Sequence, residues 1–326
     1  MTITVRKFTA KDTTAWDEFV EKSNNGTIFH LRSFLSYHID QKFKDHSLIF
    51  EKKGKMIGLC PAAIIEERRE KILHSHPGAS FGGFVFIKLS FEDSESIVKA
   101  LEIYCCQNKF HKIFFVHSPT IYHNKTNDIM EYLLHWYKYE VKEYYISSMI
   151  DIRNNKISLE YLHSRKRRYI KNYLNNKEFA IKWENNFQHF YPILIKNKKR
   201  HNIKPTHSLN ELIKLNKILP KKLHLLLLYY KNELIGGTLN MIANKRCGIV
   251  FYNMINFEYN HLQPATIQIF ESINWAKNNN LDYLDLGVSQ QPQIENPLTP
   301  HASLIYFKEQ LGASAIIRKV FKKTIN

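Results

Sequence analysis

Lys308 stands where a cation needs a reason. Leu304, Phe307 and Leu311 recur at helical spacing, and Lys308, four residues after Leu304, falls on the same stripe. An ammonium on an apolar stripe needs a partner, because burying it unpaired is costly. Asp285, which follows the apolar pair Tyr283-Leu284, is one partner. A phosphate or carboxylate of a ligand is a second, and a stem that carries the charge back to solvent is a third. Asp285 can also orient an amine or take its proton as a general base. Such chemistry is aminolysis, which needs a neutral amine and a polarised carbonyl.

A second constellation is basic. Arg165, Lys166, Arg167, Arg168 and Lys171 fall within one or two turns of a predicted helix, with no acid among them. Leu159, Leu162, Ile170 and Leu174 are expected to form its buried side. The basic side can grip a diphosphate or an RNA backbone, or it can simply be solvated. Gly78, Gly82 and Gly83 precede a predicted helix and can cradle a phosphate, although a tight turn is the expected use. There is no Gly-x-Ser-x-Gly and no His-Glu-x-x-His. The nearest histidine groups, His74 with His76 and then His111, His117 and His123, lack ligand spacing, so no metal site is expected. Cys60, Cys105, Cys106 and Cys247 form no Cys-x-x-Cys, and reduced, buried thiols are expected.

The elements that hold these residues repeat in order. The first half begins with a strand over Ile3–Phe8, a helix from Asp12 to Lys22 and a short helix over Phe29–His38. Strands then span Ser47–Lys52, Met56–Ile65 and Lys71–His74, with Lys53-Gly54 as a hairpin tip. A helix over Asp93–Asn108, a strand over Lys112–His117, a helix over Asn127–Tyr139 and a strand over Lys142–Ile150 complete it. The second half starts with a helix from Ser158 to about Asn175, a strand over Phe179–Trp183, and helices over Phe187–Arg200 and Ser208–Ile218. Strands over Leu223–Tyr230, Leu234–Ala243 and Cys247–Met254 follow, turning at Asn232-Glu233 and Asn244-Lys245. A helix over Leu262–Asn278, a strand over Tyr283–Leu286, a helix over His301–Leu311 and a strand over Ala315–Phe321 close the chain. The polar stretch Asp151–Lys156 marks the boundary, giving domains 1–152 and 153–326.

The 326 residues suffice for two ordinary domains. Residues 1–150 hold 20 basic and 18 acidic side chains, and the remainder 27 and 12, so the net charge of +17 resides mostly in the second half. A one-sided basic field attracts phosphates, whether of a nucleotide, a tRNA, a lipid pyrophosphate or an anionic membrane face. The N-terminus lacks a signal-peptide core, and the longest apolar run, Leu223 to Tyr230, is too short to span a bilayer. A cytoplasmic protein without a transmembrane segment is expected, with peripheral contact at the inner membrane face as a further expectation.

The order of elements, used twice, resembles the GNAT acyltransferase fold. Local motifs are similar to the FemABX-like peptidyltransferase group. They are Gly26-Thr27-Ile28-Phe29-His30, then Phe34-Leu35, the Ser80-Phe81-Gly82-Gly83 loop, the basic helix from Ser164 to Ile170, Trp275-Ala276, Asp285-Leu286-Gly287, and Phe307-Lys308 leading to Gly312. The fold class implied is α/β (α+β), two tandem GNAT-like domains, each a mixed, mostly antiparallel sheet flanked by helices. The activity implied is N-acyl transfer. Asp285, Lys308 and Tyr252 would be catalytic. Arg165, Arg167, Arg168, Lys171, Asn253, Gln263 and Phe307 would bind donor or substrate. The resemblance places Tyr252 and Asn253 on the strand where such folds open their acyl site; Tyr252 can also be packing alone.

The resemblance implies no tightly bound cofactor, with acyl-CoA or aminoacyl-tRNA as co-substrate. It implies an amine acceptor on a cell-wall precursor, a surface-polysaccharide amino sugar or a lipid, hence a role in cell-envelope biosynthesis. Two features depart from the pattern. No long helical arm of the kind seen in tRNA-using relatives has room here. The pyrophosphate loop is replaced by Asn260-His261-Leu262-Gln263-Pro264-Ala265, which weighs against ordinary acetyl-CoA use. The alternative is a non-catalytic protein that binds RNA or an anionic membrane surface on a degenerate GNAT scaffold.

Overall fold

The computed structural model describes residues 3–37, 43–153, 159–200, 202–291 and 294–325. His38, Ser158 and residues 154–156 of the expected boundary lie outside them. The chain forms two compact units, one of residues 1–144 with 317–326 and the other of 145–316. The division points fall inside two strands, so the last strand returns to the first unit instead of closing the second, as a boundary at 152/153 would have it.

In the first unit, β1 (Ile3–Lys7) leads through a short 3-10 turn to α1 (Thr13–Lys22) and α2 (Arg32–Leu35). The strands β2 (Lys44–Asp45), β3 (Leu48–Lys52), β4 (Lys55–Cys60), β5 (Ala62–Glu67), β6 (Glu70–Ser75) and β7 (Val85–Phe86) follow. Then come α3 (Phe91–Gln107), β8 (Lys112–Val116), α4 (Ile129–Trp136) and the start of β9 (Glu140–Asp151). The single strand expected over Met56–Ile65 is two strands. Pro61 has no N–H to give a ladder, and the chain changes sheet there. β4 joins β1-β3-β4-β7, whereas β5 joins a ladder β8-β6-β5-β2. The β5–β6 turn had no glycine or asparagine to announce it, because Arg68 and Arg69 take the left-handed backbone themselves. The core joins Leu48, Phe50, Leu101, Ile113, Phe115 and Leu133.

The second unit runs α5 (Ser164–Asn175), β10 (Phe179–Trp183), α6 (Phe187–Lys199), α7 (Leu209–Ile218), β11 (Leu223–Tyr230), β12 (Glu233–Ile242), β13 (Cys247–Ile255), α8 (Pro264–Asn278), β14 (Tyr283–Val288), α9 (Ala302–Glu309) and the start of β15 (Ser314–Thr324). The strand order is β10-β11-β12-β13-β14-β9. All neighbours are antiparallel except β13 and β14. Gly236 and Gly237 show why helices cover both faces. A Cβ on Gly236 would stand 2.5 Å from the Gln268 side chain of α8, and one on Gly237 2.7 Å from the Phe190 ring of α6. Adjacent residues point to opposite faces, so each glycine admits one helix. β11 is therefore shielded on both sides, which explains its leucine run. α5 begins at Ser164, capped by His163. Its buried side includes Leu162 and Ile170 but not Leu174, which is 55% exposed.

The last strand β15 pairs antiparallel with β8, from Val320 opposite Val116 to Thr324 opposite Lys112. Its Phe321 enters the core of the first unit.

Candidate active site

β13 and β14 pair for three residues and then part. The register runs from Cys247 opposite Tyr283 to Ile249 opposite Asp285, while β13 continues to Ile255 and β14 to Val288. Each strand has a reason to bend there. On β13 the register against β12 skips Phe251, a bulge one residue past Val250. On β14 the register against β9 shifts between Asp285 and Val288, where Gly287 has φ +74°. No atom lies within 4 Å of a Cβ built on Gly287, so the backbone conformation alone calls for glycine.

The opening is a cleft of about 530 Å³. Val250, Phe251 and Asn253 of β13 form one wall and Leu286 and Val288 of β14 the other. Gln263 and Ala265 stand at the start of α8, Leu304, Phe307 and Lys308 come from α9, and Lys198 comes from α6.

Lys308 is 5% exposed. Its Nζ donates to Gly287 O at 2.7 Å, Ser289 Oγ at 2.8 Å and Val288 O at 3.3 Å. Burial lowers its pKa to about 8, with Asp285 opposing the shift. The partner expected from sequence, the Asp285 carboxylate, accepts instead from Ser147 Oγ at 3.0 Å and from the Gly287 N–H at 2.7 Å. Asp285 is 2% exposed and does not line the cleft. Its geometry ties down the bent strand end that holds Lys308. The general-base role expected for it would need a carboxylate that faces the cleft, and here both of these hydrogen bonds lie away from it.

Tyr252, also expected to be catalytic, does not line the cleft. Its neighbours Phe251 and Asn253 face the cleft, while its own hydroxyl bonds His207 Nδ1 at 2.8 Å, and burial raises its pKa. Asn253, Gln263 and Phe307 do meet Lys308 in the cleft. The basic helix is divided. Arg165, Arg168 and Lys171 are exposed, and Arg167 donates from Nη2 to Glu160 O and Leu162 O. None of these four lines the cleft.

Lys166, absent from the expected site set, turns inward. It is 4% exposed, and Nζ donates to Thr266 Oγ1 at 3.0 Å and Gln263 Oε1 at 3.2 Å, with the Phe307 ring 4.5 Å away. Burial, assisted by Arg165, lowers its pKa to about 8. Among the described residues neither Lys166 nor Lys308 joins an ion pair. Lys166 also meets the positive end of the α8 dipole, a second reason for an anion to be welcome. The stripe argument used for Lys308 would have found it, since Lys166 is four residues before the buried Ile170. Lys198, whose pKa burial also lowers, was missed too.

The start of α8 fits a CoA diphosphate poorly. Pro264 has no N–H, and those of Thr266 and Ile267 both go to Gln263 O. In the first unit the glycine loop turns at Pro77-Gly78, closed by the Ala79 N–H to His76 O, and then bridges from Gly82 to His117. Gly82 N donates to Val116 O, and a Cβ on Gly83, at φ +78°, would meet the His117 ring at 2.6 Å. Of the thiols, Cys106 is exposed and the other three are buried. Among the described residues no three His, Cys, Asp or Glu side chains gather as metal ligands.

No protein-family model matches the sequence, and no curated protein does. Solved structures do match. The crystal structure of FemX superimposes with a TM-score of 0.74 at 12% identity, covering 99% of this chain and 97% of its own. The chain has the tandem GNAT fold that FemX shares. L-PGS from Bacillus licheniformis matches at TM-score 0.55 and 11% identity over 96% of this chain and 91% of that one. A tandem GNAT protein from the clavulanic acid biosynthesis pathway matches at 0.54 and 6%, over 99% of both. In this fold the mixed, mostly antiparallel sheets flanked by helices are as the sequence implied.

Proposed function

We propose that the second unit is an acyl- or aminoacyl-transferase that passes an activated acyl group from a phosphate-bearing donor to an amine. The observation that carries this reading is the opened β13/β14 pair with the desolvated Lys308 ammonium at its inner end. The donor carbonyl lies along β13 beyond Ile249, where backbone amides no longer engaged with β14 polarise it. The amine attacks the carbonyl carbon, the C–N bond forms, and the bond to the leaving oxygen of an ester or sulfur of a thioester breaks. The proton lost by the amine balances the one gained by the leaving group. Lys308, with a pKa near working pH, is suited to relay it. Lys166, Gln263 and Phe307 receive the donor phosphate side. The acceptor is an amine of a cell-wall precursor, an amino sugar or a lipid, in keeping with a cell-envelope role.

At the start of α8, Pro264 brings no N–H and that of Thr266 is held by Gln263 O, so a diphosphate finds little backbone there, and acyl-CoA and aminoacyl-tRNA are both donors to be tried. A transfer assay with each donor and a panel of amines tests the reading. Lys308→Gln keeps an N–H to offer the strand-end carbonyls but removes the titratable ammonium. It should lower kcat/KM by about a hundredfold or more with the melting temperature held within a few degrees. Undiminished transfer by this variant would remove Lys308 from the chemistry, and no transfer with any donor would sink the reading.

A further inference from the structure

The chain between Glu184 and Glu211 contains no acid, yet Lys196, Lys198, Lys199, Arg200 and Lys204 crowd the end of α6 and the segment after it. The negative end of the helix dipole favours cations locally, but it cannot balance five. Among the described residues none of the five joins an ion pair. Lys198 turns towards the cleft, and the other four are exposed.

Beside them lies a groove of about 420 Å³. Its floor is apolar, from Pro192, Ile193, Leu234, Ile255 and Phe257, and Lys196 and Arg200 stand on its rim with one acid, Glu258. Ile195 is 44% exposed and Phe257 38%. A cationic rim over a hydrocarbon floor, with aliphatic carbon left in water next to it, matches the two layers of an anionic bilayer surface. An RNA backbone would satisfy the charges but leave Ile195 and the floor unused. Nor is the Phe257 ring open to a base, because the Arg200 guanidinium covers it at 3.8 Å from the centroid.

We propose that the end of α6 and this groove dock the protein on an anionic phospholipid bilayer. Lys196, Lys199, Arg200 and Lys204 meet headgroup phosphates, Ile195 enters the acyl boundary, and Phe257 stays at headgroup level beneath the Arg200 guanidinium. Among the described residues no helix is long and apolar enough to cross a membrane, and surface docking needs none. Lys198 lies on the same helix and lines the cleft, so docking carries the cleft to the lipid surface. The consequence, a lipid-borne acceptor, rests on the transferase reading; the docking does not.

The test is co-sedimentation of the full chain with phosphatidylcholine vesicles, with and without phosphatidylglycerol. Binding is expected only to the anionic vesicles and should fade as salt rises. Lys196→Glu with Lys199→Glu should weaken it by more than about tenfold, from the worth of each basic residue near such a surface. Lys204→Glu, outside the helix, is the check should the double variant fold poorly. Ile195→Ser should weaken vesicle binding severalfold while leaving binding to a single-stranded RNA unchanged. Transfer to a soluble amine should survive the charge reversals, which separates loss of docking from loss of the active site. Equal binding to both vesicle types, or indifference to Lys204→Glu and the double reversal, would overturn the proposal. Tight RNA binding without vesicle binding would assign the surface to nucleic acid instead.

Discussion

Both units bury imidazoles, His207 in the second among them, but among the described residues the buried ammonium groups all belong to the second, and the difference separates structure from site. The first unit buries imidazoles. Burial lowers the pKa of both His30 and His117 to about 3, and burial followed by nearby lysines lowers that of His46 to about 4. These rings are neutral at working pH and are absorbed by packing. The Thr27 N–H donates to His30 Nδ1 at 2.9 Å, and His117 lies against Phe321, with ring centroids 5.1 Å apart. The second unit buries ammonium groups, Lys166 and Lys308, whose pKa values fall to about 8, so both are still charged at pH 7. A neutral imidazole costs the fold little. A desolvated ammonium with no carboxylate in direct contact costs a great deal, and a bound anion is the simplest way to offset it.

The strongest test of this contrast is acid. A base whose folded pKa lies below its unfolded value of about 6.5 is protonated first in the unfolded chain. Its contribution is complete above pH 6.5 and declines as pH falls towards the folded value. Each of His30 and His117 should therefore remove roughly 1.4 kcal/mol per pH unit across that window. Hydrogen exchange between pH 7 and 4.5 should show the first unit opening ahead of the second. Opening in the reverse order would break the comparison.

Next in size is Lys166→Met. It should weaken donor binding by about ten- to a hundredfold, the scale of a hydrogen bond to a charged group, measured by titration calorimetry at fixed salt. Arg165→Ala and Arg168→Ala should change it only by a salt-dependent factor. Equal losses from all three would return the phosphate grip to the exposed face.

Alkali gives a smaller effect of the opposite sense. Between pH 8 and about 10.5 the two lysines are neutral in the folded unit and protonated in the unfolded chain, so stability should rise with pH. A saturating phosphate-bearing ligand should flatten that rise, because it restores the protonated form. Melting temperatures across pH 7.5 to 9.5, with and without donor, read both. The smallest change is Gly287→Ala, which should cost about 1 to 2 kcal/mol of left-handed strain and displace the carbonyl that holds Lys308. A lowered kcat with only that modest loss of stability would sharpen the role of the bent strand end.

Much of the frame was legible because periodicity survives into packing. The Leu223–Tyr230 run, the Lys53-Gly54 hairpin tip and the α9 stripe that buries Lys308 all appear where spacing put them. The failures have physical causes. Pro61 splits a continuous apolar run, because a missing N–H matters only once the sheet is known. Leu174 has the spacing of a buried residue but is left 55% exposed. Lys166 was overlooked because a basic cluster reads as one solvated face, although its spacing from Ile170 places it on the buried side.

Sequence by itself determined the order of elements, the concentration of positive charge in the second half, and the presence of a lysine on the apolar face of α9. These depend on local periodicity and composition, which the chain carries without folding. Only the tertiary structure decided that β13 and β14 part after three paired residues, that Asp285 braces a strand end while Lys308 faces the opening, and that Tyr252 turns to His207. A bulge at Phe251, a left-handed Gly287 and the choice of hydrogen-bond partner are settled by neighbours distant in the chain, and no local pattern encodes them.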